Sequence, residues 1–244
     1  MRRLALLLAL SLGLVTTAAG AAQPAPRSSL GVVTNVTIPS SVWNMQFTDS
    51  YGRSHTLASL KDTTLIVPFL TLCPDVCPFT TGNAIQTARI LQSHHSTNVR
   101  VIEITVDPQR DTIERLAKYR KLVGLKSGDI AISLWRASNR DTAKMMKFFG
   151  MTTERMSVDE VHRDWMTGKP IGYELDHSDG FYIITSQGKL RYVSGLSAKF
   201  VGQLTTAMKK YLNSAGLATL AKPLPGWTPG DAVTALSYIT QTKL

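Results

Sequence analysis

The chain has 244 residues, and its 27 lysines and arginines outnumber its 17 acidic residues, which gives a formal net charge of +10. A chain of this length is sufficient for one domain with a sizeable hydrophobic core. Its basic residues are scattered and form no stripe interleaved with aromatic residues, which argues against a nucleic-acid-binding protein. The excess of positive charge can attract acidic partners or anionic lipid surfaces, and its simplest interpretation is a solvated basic surface.

The N-terminus has the pattern of an export signal. Two arginines at positions 2 and 3 precede an apolar run over residues 4–15, and small residues follow up to Ala22. This order is typical of a secretory signal peptide. With the small residues included, the stretch approaches the ~20 residues that a membrane-spanning helix needs, so we predict either a signal peptide or an N-terminal anchor over residues 1–22. We therefore expect an exported protein that works in the periplasm or at the outer face of the inner membrane, either soluble or tethered through its N-terminus.

The next part of the chain is predicted to hold a linker and a β-hairpin. Residues 23–41 are rich in Pro, Ser, Thr and Val, which is typical of a linker. A turn at residues 49–52 lies between two β-rich runs and predicts an N-terminal hairpin over residues 43–57. The apolar run over residues 64–70 then predicts a buried strand, in which Pro68 is expected to make the pairing irregular.

Helices and strands alternate through the rest of the chain. One helix is expected to begin at Asp111 as N-cap, with Glu114 three residues later in the capping-box position. The alternation predicts an α/β protein with a thioredoxin-like fold over residues 42–214, an extra N-terminal hairpin and a C-terminal extension over residues 215–244. The remaining predicted elements are a helix over 78–92, strands over 99–106 and 130–135, a helix over 141–149, a hairpin over 181–194 and a helix over 197–214 that Gly216 ends.

Cys73 and Cys77 lie four residues apart where the predicted strand meets a helix that begins near Pro78. Residues at this spacing share one face of a helix, with Cβ atoms about 5–6 Å apart, so the two sulfurs can close a disulfide or bind one soft metal ion. The helix N-terminus is expected to lower the pKa of Cys77 and favour its thiolate. An inert disulfide of an exported protein is the alternative, but closing so short a loop removes little chain entropy. The spacing therefore favours a reactive or metal-binding pair.

A third ligand would distinguish a metal carrier from a redox enzyme. Of the five histidines, His177 is the strongest candidate, because it precedes a strand in a loop whose neighbours Asp176 and Asp179 can orient an imidazole. In a thioredoxin-like fold this loop comes close to the cysteine loop. Two thiolates and one imidazole suit copper, since sulfur favours Cu(I) and nitrogen helps to accommodate Cu(II). A hydrogen-bonded surface histidine is the alternative interpretation.

Three short segments resemble the signature segments of one protein family. They are CPDVCP at residues 73–78, VDPQRDT at residues 106–112 and DHS at residues 176–178. Together they are similar to the Sco/SenC proteins, which are thioredoxin-fold, copper-binding proteins that assist assembly of the copper A centre of cytochrome c oxidase. The resemblance spans about residues 43–214.

The resemblance implies a function and a set of site residues. Cys73, Cys77 and His177 are expected to bind copper, as Cu(I) or Cu(II), and the copper-bearing subunit of cytochrome c oxidase is the expected partner. The middle segment is expected to lie near the site. From the residues alone, the simpler interpretation of Asp107 and Asp111 is a turn and a helix cap.

Three classes of function fit these residues. The first is a metallochaperone that passes copper to an oxidase subunit without turning over a substrate. The second is a thiol–disulfide oxidoreductase that acts on exported or oxidase-subunit cysteines, with Cys73 as attacking thiol, Cys77 as resolving thiol and a thioredoxin-like protein as reductant. The Cys-x-x-x-Cys spacing counts against it, because redox enzymes use the shorter Cys-x-x-Cys. A peroxidase of the peroxiredoxin type ranks third, because no threonine and arginine motif surrounds Cys73.

Overall fold

The computed structural model describes residues 22–158 and 162–244. The predicted signal peptide or anchor over residues 1–22 lies outside these ranges, apart from Ala22. Within the two described ranges, no helix is both long enough and apolar enough to cross a membrane.

Strands of the described residues build one large mixed sheet and one small sheet. They are β1 (Val32–Thr37), β2 (Phe47–Asp49), β3 (Ser54–His55), β4 (Thr63–Phe69), β5 (Val99–Thr105), β6 (Ile132–Arg136), β7 (Thr153–Met156), β8 (Glu174–His177), β9 (Phe181–Ile184) and β10 (Lys189–Ser194). The large sheet has the order β1-β10-β9-β4-β5-β6-β2-β3. Its centre is parallel, since β5 pairs in parallel with both β4 and β6, while its other neighbouring strands are antiparallel. β7 and β8 form the small antiparallel sheet.

Helices cover both faces of the large sheet. They are α1 (Ser40–Trp43), α2 (Cys77–Ser93), α3 (Ile113–Leu122), α4 (Asn139–Phe149), α5 (Thr206–Tyr211), α6 (Ser214–Ala221) and α7 (Pro229–Thr240), with a 3₁₀ turn at Leu57–Ser59. Side chains of β4 alternate between two hydrophobic clusters, as the pleat of a strand requires: Leu65 and Val67 belong to one, and Ile66 belongs to the other. Side chains from α2, α3 and α7 complete the first cluster, and side chains from α4 complete the second. β4 is therefore buried on both faces, as is typical of a central parallel strand.

This architecture confirms the predicted thioredoxin-like α/β fold with an added N-terminal hairpin, formed by β2 and β3. Residues 23–41, expected as a linker, contain β1, which pairs with β10. The single helix expected over residues 197–214 is wrong, because residues 197–205 are not helical and two separate helices follow. The side chains of Thr205 and Asn213 each accept a backbone N–H bond and start α5 and α6 as N-caps.

Pro68 shortens one ladder and leaves the other intact. The register of β4 with β5 runs without a break from Thr63 to Phe69. The antiparallel register of β4 with β9 ends at Ile66, so Pro68 lies past the end of that ladder. The expected irregularity therefore takes the form of an early end to the pairing of β4 with β9. Because that ladder ends before Pro68, the missing N–H of the proline removes no hydrogen bond from it.

The C-terminal extension packs against the same core as the central strands. α7 contacts α2, β4 and β10, and the Trp227 side chain just before α7 is fully buried. The Trp227 ring lies edge-on to Phe181, with centroids 5.3 Å apart, and the Trp227 carbonyl accepts a hydrogen bond from Asn83 Nδ2 at 2.9 Å. Because Asn83 lies on α2, the extension anchors the helix that starts at the cysteines.

We expect Trp227→Ala to lower the free energy of unfolding by about 3–5 kcal/mol, because the substitution removes a large buried aromatic side chain and leaves a cavity. Urea unfolding followed by circular dichroism measures the change. Leu224→Ala is the matched control, since Leu224 is 58% exposed, and surface substitutions typically change stability by about 0.5 kcal/mol or less. Equal effects of the two substitutions would contradict the packing of the extension into the core.

Candidate functional site

The cysteine loop connects β4 to α2. Cys77 is the first residue of α2 and is fully buried, whereas Cys73 is partly exposed, and both thiols are free. Pro78 occupies the first turn, where its missing N–H leaves no helical bond unmade. The backbone N–H of Cys77 donates to Cys73 Sγ at 3.3 Å. The predicted strand-to-helix junction is therefore confirmed, and it places one cysteine within reach of solvent and the other in the core.

His177 lies at the end of β8 and reaches the buried cysteine. Its Nε2 atom is 3.1 Å from Cys77 Sγ, and the residue is 8% exposed. On the other side of the ring, Nδ1 lies 2.9 Å from the carbonyl oxygen of Ser178, to which it donates. That bond places the ring proton on Nδ1 and leaves the lone pair of Nε2 facing the sulfur. Asp179 Oδ1, 3.7 Å from Nδ1, adds a negative charge beside the same edge of the ring.

A cavity of about 230 Å³ opens at the site. Cys73 and His177 line it together with Asp75 from the cysteine loop and with Glu174 and Asp176 from β8. Burial raises the pKa of Asp75, and repulsion from the neighbouring carboxylates raises it further. This acidic wall gives the cavity a negative potential, which attracts cations.

The three predicted ligands are adjacent but are not gathered around one point. In residues 22–158 and 162–244, no group of three His, Cys, Asp or Glu side chains is arranged to hold a metal ion. Cys77 and His177 are in contact, while the sulfur of Cys73 faces the N–H of Cys77. The thiols of Cys73 and Cys77 also interact directly, so Cys77 contacts both of the other predicted ligands.

The electrostatics of Cys77 differ from the prediction. Burial raises the pKa of Cys77 well above its ordinary value, and the neighbouring Cys73 and the charge of Asp179 add to the increase. The expected lowering by the helix N-terminus is wrong, because full burial outweighs the favourable field of the helix end. Cys77 is therefore a neutral thiol at pH 7 in the metal-free protein.

Asp111 joins the cysteine loop to the loop after β5. Its carboxylate accepts hydrogen bonds from the Thr71 N–H at 3.1 Å, from Thr71 Oγ1 at 2.5 Å and from Thr105 Oγ1 at 2.5 Å. The expected cap role of Asp111 is wrong, because Thr112 is the N-cap of α3. Burial raises the pKa of Asp111 to about 6, although the donors oppose the shift. Asp111 thus holds the backbone two residues before Cys73.

The polar stretch between β7 and β8 closes over the same loop. Trp165 Nε1 donates to the Thr71 carbonyl at 2.8 Å, so both backbone groups of Thr71 are bonded. The adjacent Asp164 accepts two bonds from Arg115 on α3, at 2.8 and 2.6 Å. Burial acts to raise the pKa of Asp164, but the Arg115 pair and further donors lower it to about 2. Local sequence patterns do not identify Thr71 or Trp165, because their partners are distant in the sequence.

We expect the native, reduced protein to react with iodoacetamide at Cys73 at least about tenfold faster than at Cys77, because the thiolate is the reactive form and Cys77 is buried with a raised pKa. Mass spectrometry of timed samples measures the two rates. Both cysteines should react at similar rates in concentrated urea, which serves as the control. Equal rates in the native protein would contradict the burial of Cys77.

Asp111→Asn tests the raised pKa. A carboxyl whose folded pKa is about 6, against about 4 in the unfolded chain, stabilises the fold fully below about pH 4 and loses that contribution as the pH rises through about 6. Because asparagine does not titrate, the free energy of unfolding of the wild type should fall by about 2–3 kcal/mol relative to Asp111→Asn between about pH 4 and about pH 7. Urea unfolding at both pH values measures this difference. A difference that does not change with pH would rule out a titrating Asp111.

Comparisons with known proteins identify a family for most of the chain. The SCO1/SenC family model matches residues 41–213. The SCO2-like protein RC0895 of Rickettsia conorii is 28% identical over 152 residues, which cover 60% of this chain and 65% of that protein. The mitochondrial SCO2 homolog of Homo sapiens is 34% identical over 171 residues, which cover 67% of this chain and 57% of that protein. The matches thus span less than two thirds of these relatives' own length.

A solved structure gives a further match. ScoI of Arabidopsis thaliana, whose structure has copper bound, is 18% identical to this chain with a TM-score of 0.49, and the match covers 62% of this chain and 85% of that chain. The residues that the family model matches, 41–213, contain the CPDVCP, VDPQRDT and DHS segments. The chain therefore belongs to the SCO1/SenC family.

Proposed function

We propose that this chain is a copper metallochaperone, which binds copper through Cys73, Cys77 and His177 and delivers it to the copper-bearing subunit of cytochrome c oxidase. The observation that carries the proposal is the 3.1 Å contact between Cys77 Sγ and His177 Nε2. Cys73 lies next to this contact in the cysteine loop. Two thiolates and one imidazole form a donor set that suits copper. Membership of the SCO1/SenC family supports the same cargo and the same target.

Each ligand has a distinct part in the proposed binding. The Nδ1–H bond to Ser178 keeps Nε2 of His177 free to donate its lone pair to the metal. Both thiols lose their protons on binding, and the raised pKa of Cys77 makes its deprotonation the costly step. Cys73, which lines the acidic cavity, is the donor that an incoming copper ion meets first.

The proposed delivery follows from the same difference in exposure. A ligand of the partner protein can approach the copper ion on the side of Cys73, which is partly exposed, while Cys77 is fully buried and His177 is 8% exposed. Exchange therefore begins with the replacement of Cys73. Copper passes to the partner in this way without turnover of a substrate.

The proposed location is the periplasm or the outer face of the inner membrane. It rests on the sequence pattern of residues 1–22, which supplies either an export signal or a tether. Thiols in that compartment meet oxidising conditions. The cysteine pair must then be kept reduced before it can bind copper.

A second candidate function is a thiol–disulfide oxidoreductase. It is favoured by the contrast between the two cysteines, because Cys73 is reachable as an attacking thiol and Cys77 is buried next to it as a resolving thiol. A thioredoxin-like protein is its proposed reductant. The two functions are compatible, since only the reduced pair binds copper.

Copper titration of the reduced protein tests the first proposal. We expect the wild type to bind one equivalent, and His177→Ala to weaken binding by at least about tenfold and to change the Cu(II) absorption spectrum, because one of three donors is lost. His94→Ala is the matched control, since His94 is exposed after the end of α2, and it should leave both properties unchanged. An unchanged spectrum in His177→Ala would remove His177 from the proposed site.

Reductase assays on the same variants separate the two candidate functions. Cys73→Ser should abolish both copper binding and thiol–disulfide turnover. His177→Ala should impair copper binding and leave turnover intact, because disulfide exchange needs no imidazole. Turnover by the wild type together with a lack of copper binding would favour the oxidoreductase.

A further inference from the structure

Arg120, in the last turn of α3, is a buried cation without an ionic partner. The residue is 7% exposed, and within residues 22–158 and 162–244 it forms no ion pair with a carboxylate. Its Nη1 atom has no hydrogen-bond partner in those ranges. The guanidinium lies over the ring of Tyr51, 4.6 Å from the ring centroid. Stacking engages the face of the guanidinium and leaves the N–H groups at its edge to be satisfied.

A cavity of about 420 Å³ opens beside this side chain. Arg53, Arg100 and Arg120 all line it. Arg53 is paired with Asp49, and Arg100 is bonded to Asp62. Arg120 therefore carries the charge that no described side chain balances.

The cavity lies at the opposite end of the parallel strands from the cysteines. Arg100 is the second residue of β5 and Ile132 is the first residue of β6, whereas the cysteine loop follows the end of β4. Asp129 also lines the cavity, but its carboxylate accepts two bonds from Arg89, at 3.0 and 2.9 Å. The cavity is therefore separate from the proposed copper site and has a net positive lining.

We propose that this cavity binds a phosphate group. A buried guanidinium without a counter-charge is costly, and an unpartnered buried polar atom calls for an ion or a water molecule. The edge of a guanidinium binds phosphate through paired N–H···O bonds. The further oxygens of a phosphate can accept from Arg53 and Arg100, whose five donors each are only partly used by Asp49 and Asp62. Tyr51 and Ile130, which are 58% and 82% exposed at the cavity, also suit a phosphate carried on a lipid headgroup. Free phosphate and a phospholipid headgroup are thus two sources of one ligand chemistry.

Thermal unfolding of the full chain in phosphate and in chloride, at equal pH and ionic strength, tests the proposal. We expect phosphate to raise the Tm of the wild type and Arg120→Gln to abolish that rise. In chloride, Arg120→Gln should unfold at the same temperature as the wild type or higher, because it removes an unbalanced buried charge. Arg140→Gln is the matched control, since the Arg140 side chain is 83% exposed, and it should keep the full phosphate effect.

Calorimetric titration with inorganic phosphate gives a second measurement, which does not depend on the folding of the Arg120 variant. Arg100→Gln changes a side chain that is 45% exposed, so this variant should fold. We expect it to weaken phosphate binding by about tenfold, because a charge-assisted hydrogen bond is lost. Full phosphate affinity in Arg100→Gln would overturn the proposed arrangement of three arginines.

Vesicles of phosphatidylcholine, with and without phosphatidic acid, distinguish the two sources of phosphate. A lipid headgroup is identified if phosphatidic acid increases the amount of wild-type protein that sediments with the vesicles. Arg120→Gln should then lose this increase, and Arg140→Gln should keep it. Binding of inorganic phosphate without this added sedimentation identifies free phosphate. The phosphate site is refuted if the wild type binds neither inorganic phosphate nor vesicles that contain phosphatidic acid. It is also refuted if Arg120→Gln and Arg140→Gln lose binding to the same extent.

Discussion

The contact between Cys77 and His177 is the interaction on which the candidate site depends. It joins residues 100 apart in the sequence, and it follows from the antiparallel pairing of β4 with β9. Because of that pairing, the chain that leaves β4 for the cysteine loop and the chain that enters β9 from His177 meet at one edge of the sheet. Leu65 and Ile183, paired in the two strands, are fully buried. The hydrophobic core therefore sets the distance between the sulfur and the imidazole.

The backbone of the cysteine loop is held by side chains that are distant in the sequence. Thr71 donates its N–H to Asp111, and its carbonyl accepts a bond from Trp165, so the loop is tied both to the end of β5 and to the stretch before β8. The thiol of Cys73 meets the Cys77 N–H at 3.3 Å and the Cys77 thiol, and sulfur forms only weak hydrogen bonds. A fixed loop whose partly exposed thiol forms only weak bonds suits an ion that is taken up and released, because these bonds can be exchanged without unfolding the loop.

The features that sequence reasoning predicted correctly are those with strong local signals. The apolar run of β4 and the cysteine motif predicted a buried strand followed by a helix, and the DHS segment directed attention to His177. Asp111, in contrast, precedes a helix and satisfies the cap pattern, yet in the fold Thr112 caps that helix and Asp111 bonds to Thr71, 40 residues away. No local pattern encodes that partner. The raised pKa of Cys77 is likewise a consequence of tertiary burial, which the i,i+4 spacing does not contain.

In the proposed function, the buried and the partly exposed thiol are unequal ligands although they are chemically identical. A thiolate at Cys77 is costly in the core unless the positive charge of a metal ion offsets it, so copper and the deprotonated Cys77 depend on each other. Cys73 is partly exposed, and its bond to copper is the one that an incoming ligand can replace first. Release of copper then ends with the return of a proton to Cys77. The order of ligand exchange is thus a consequence of where the hydrophobic core ends.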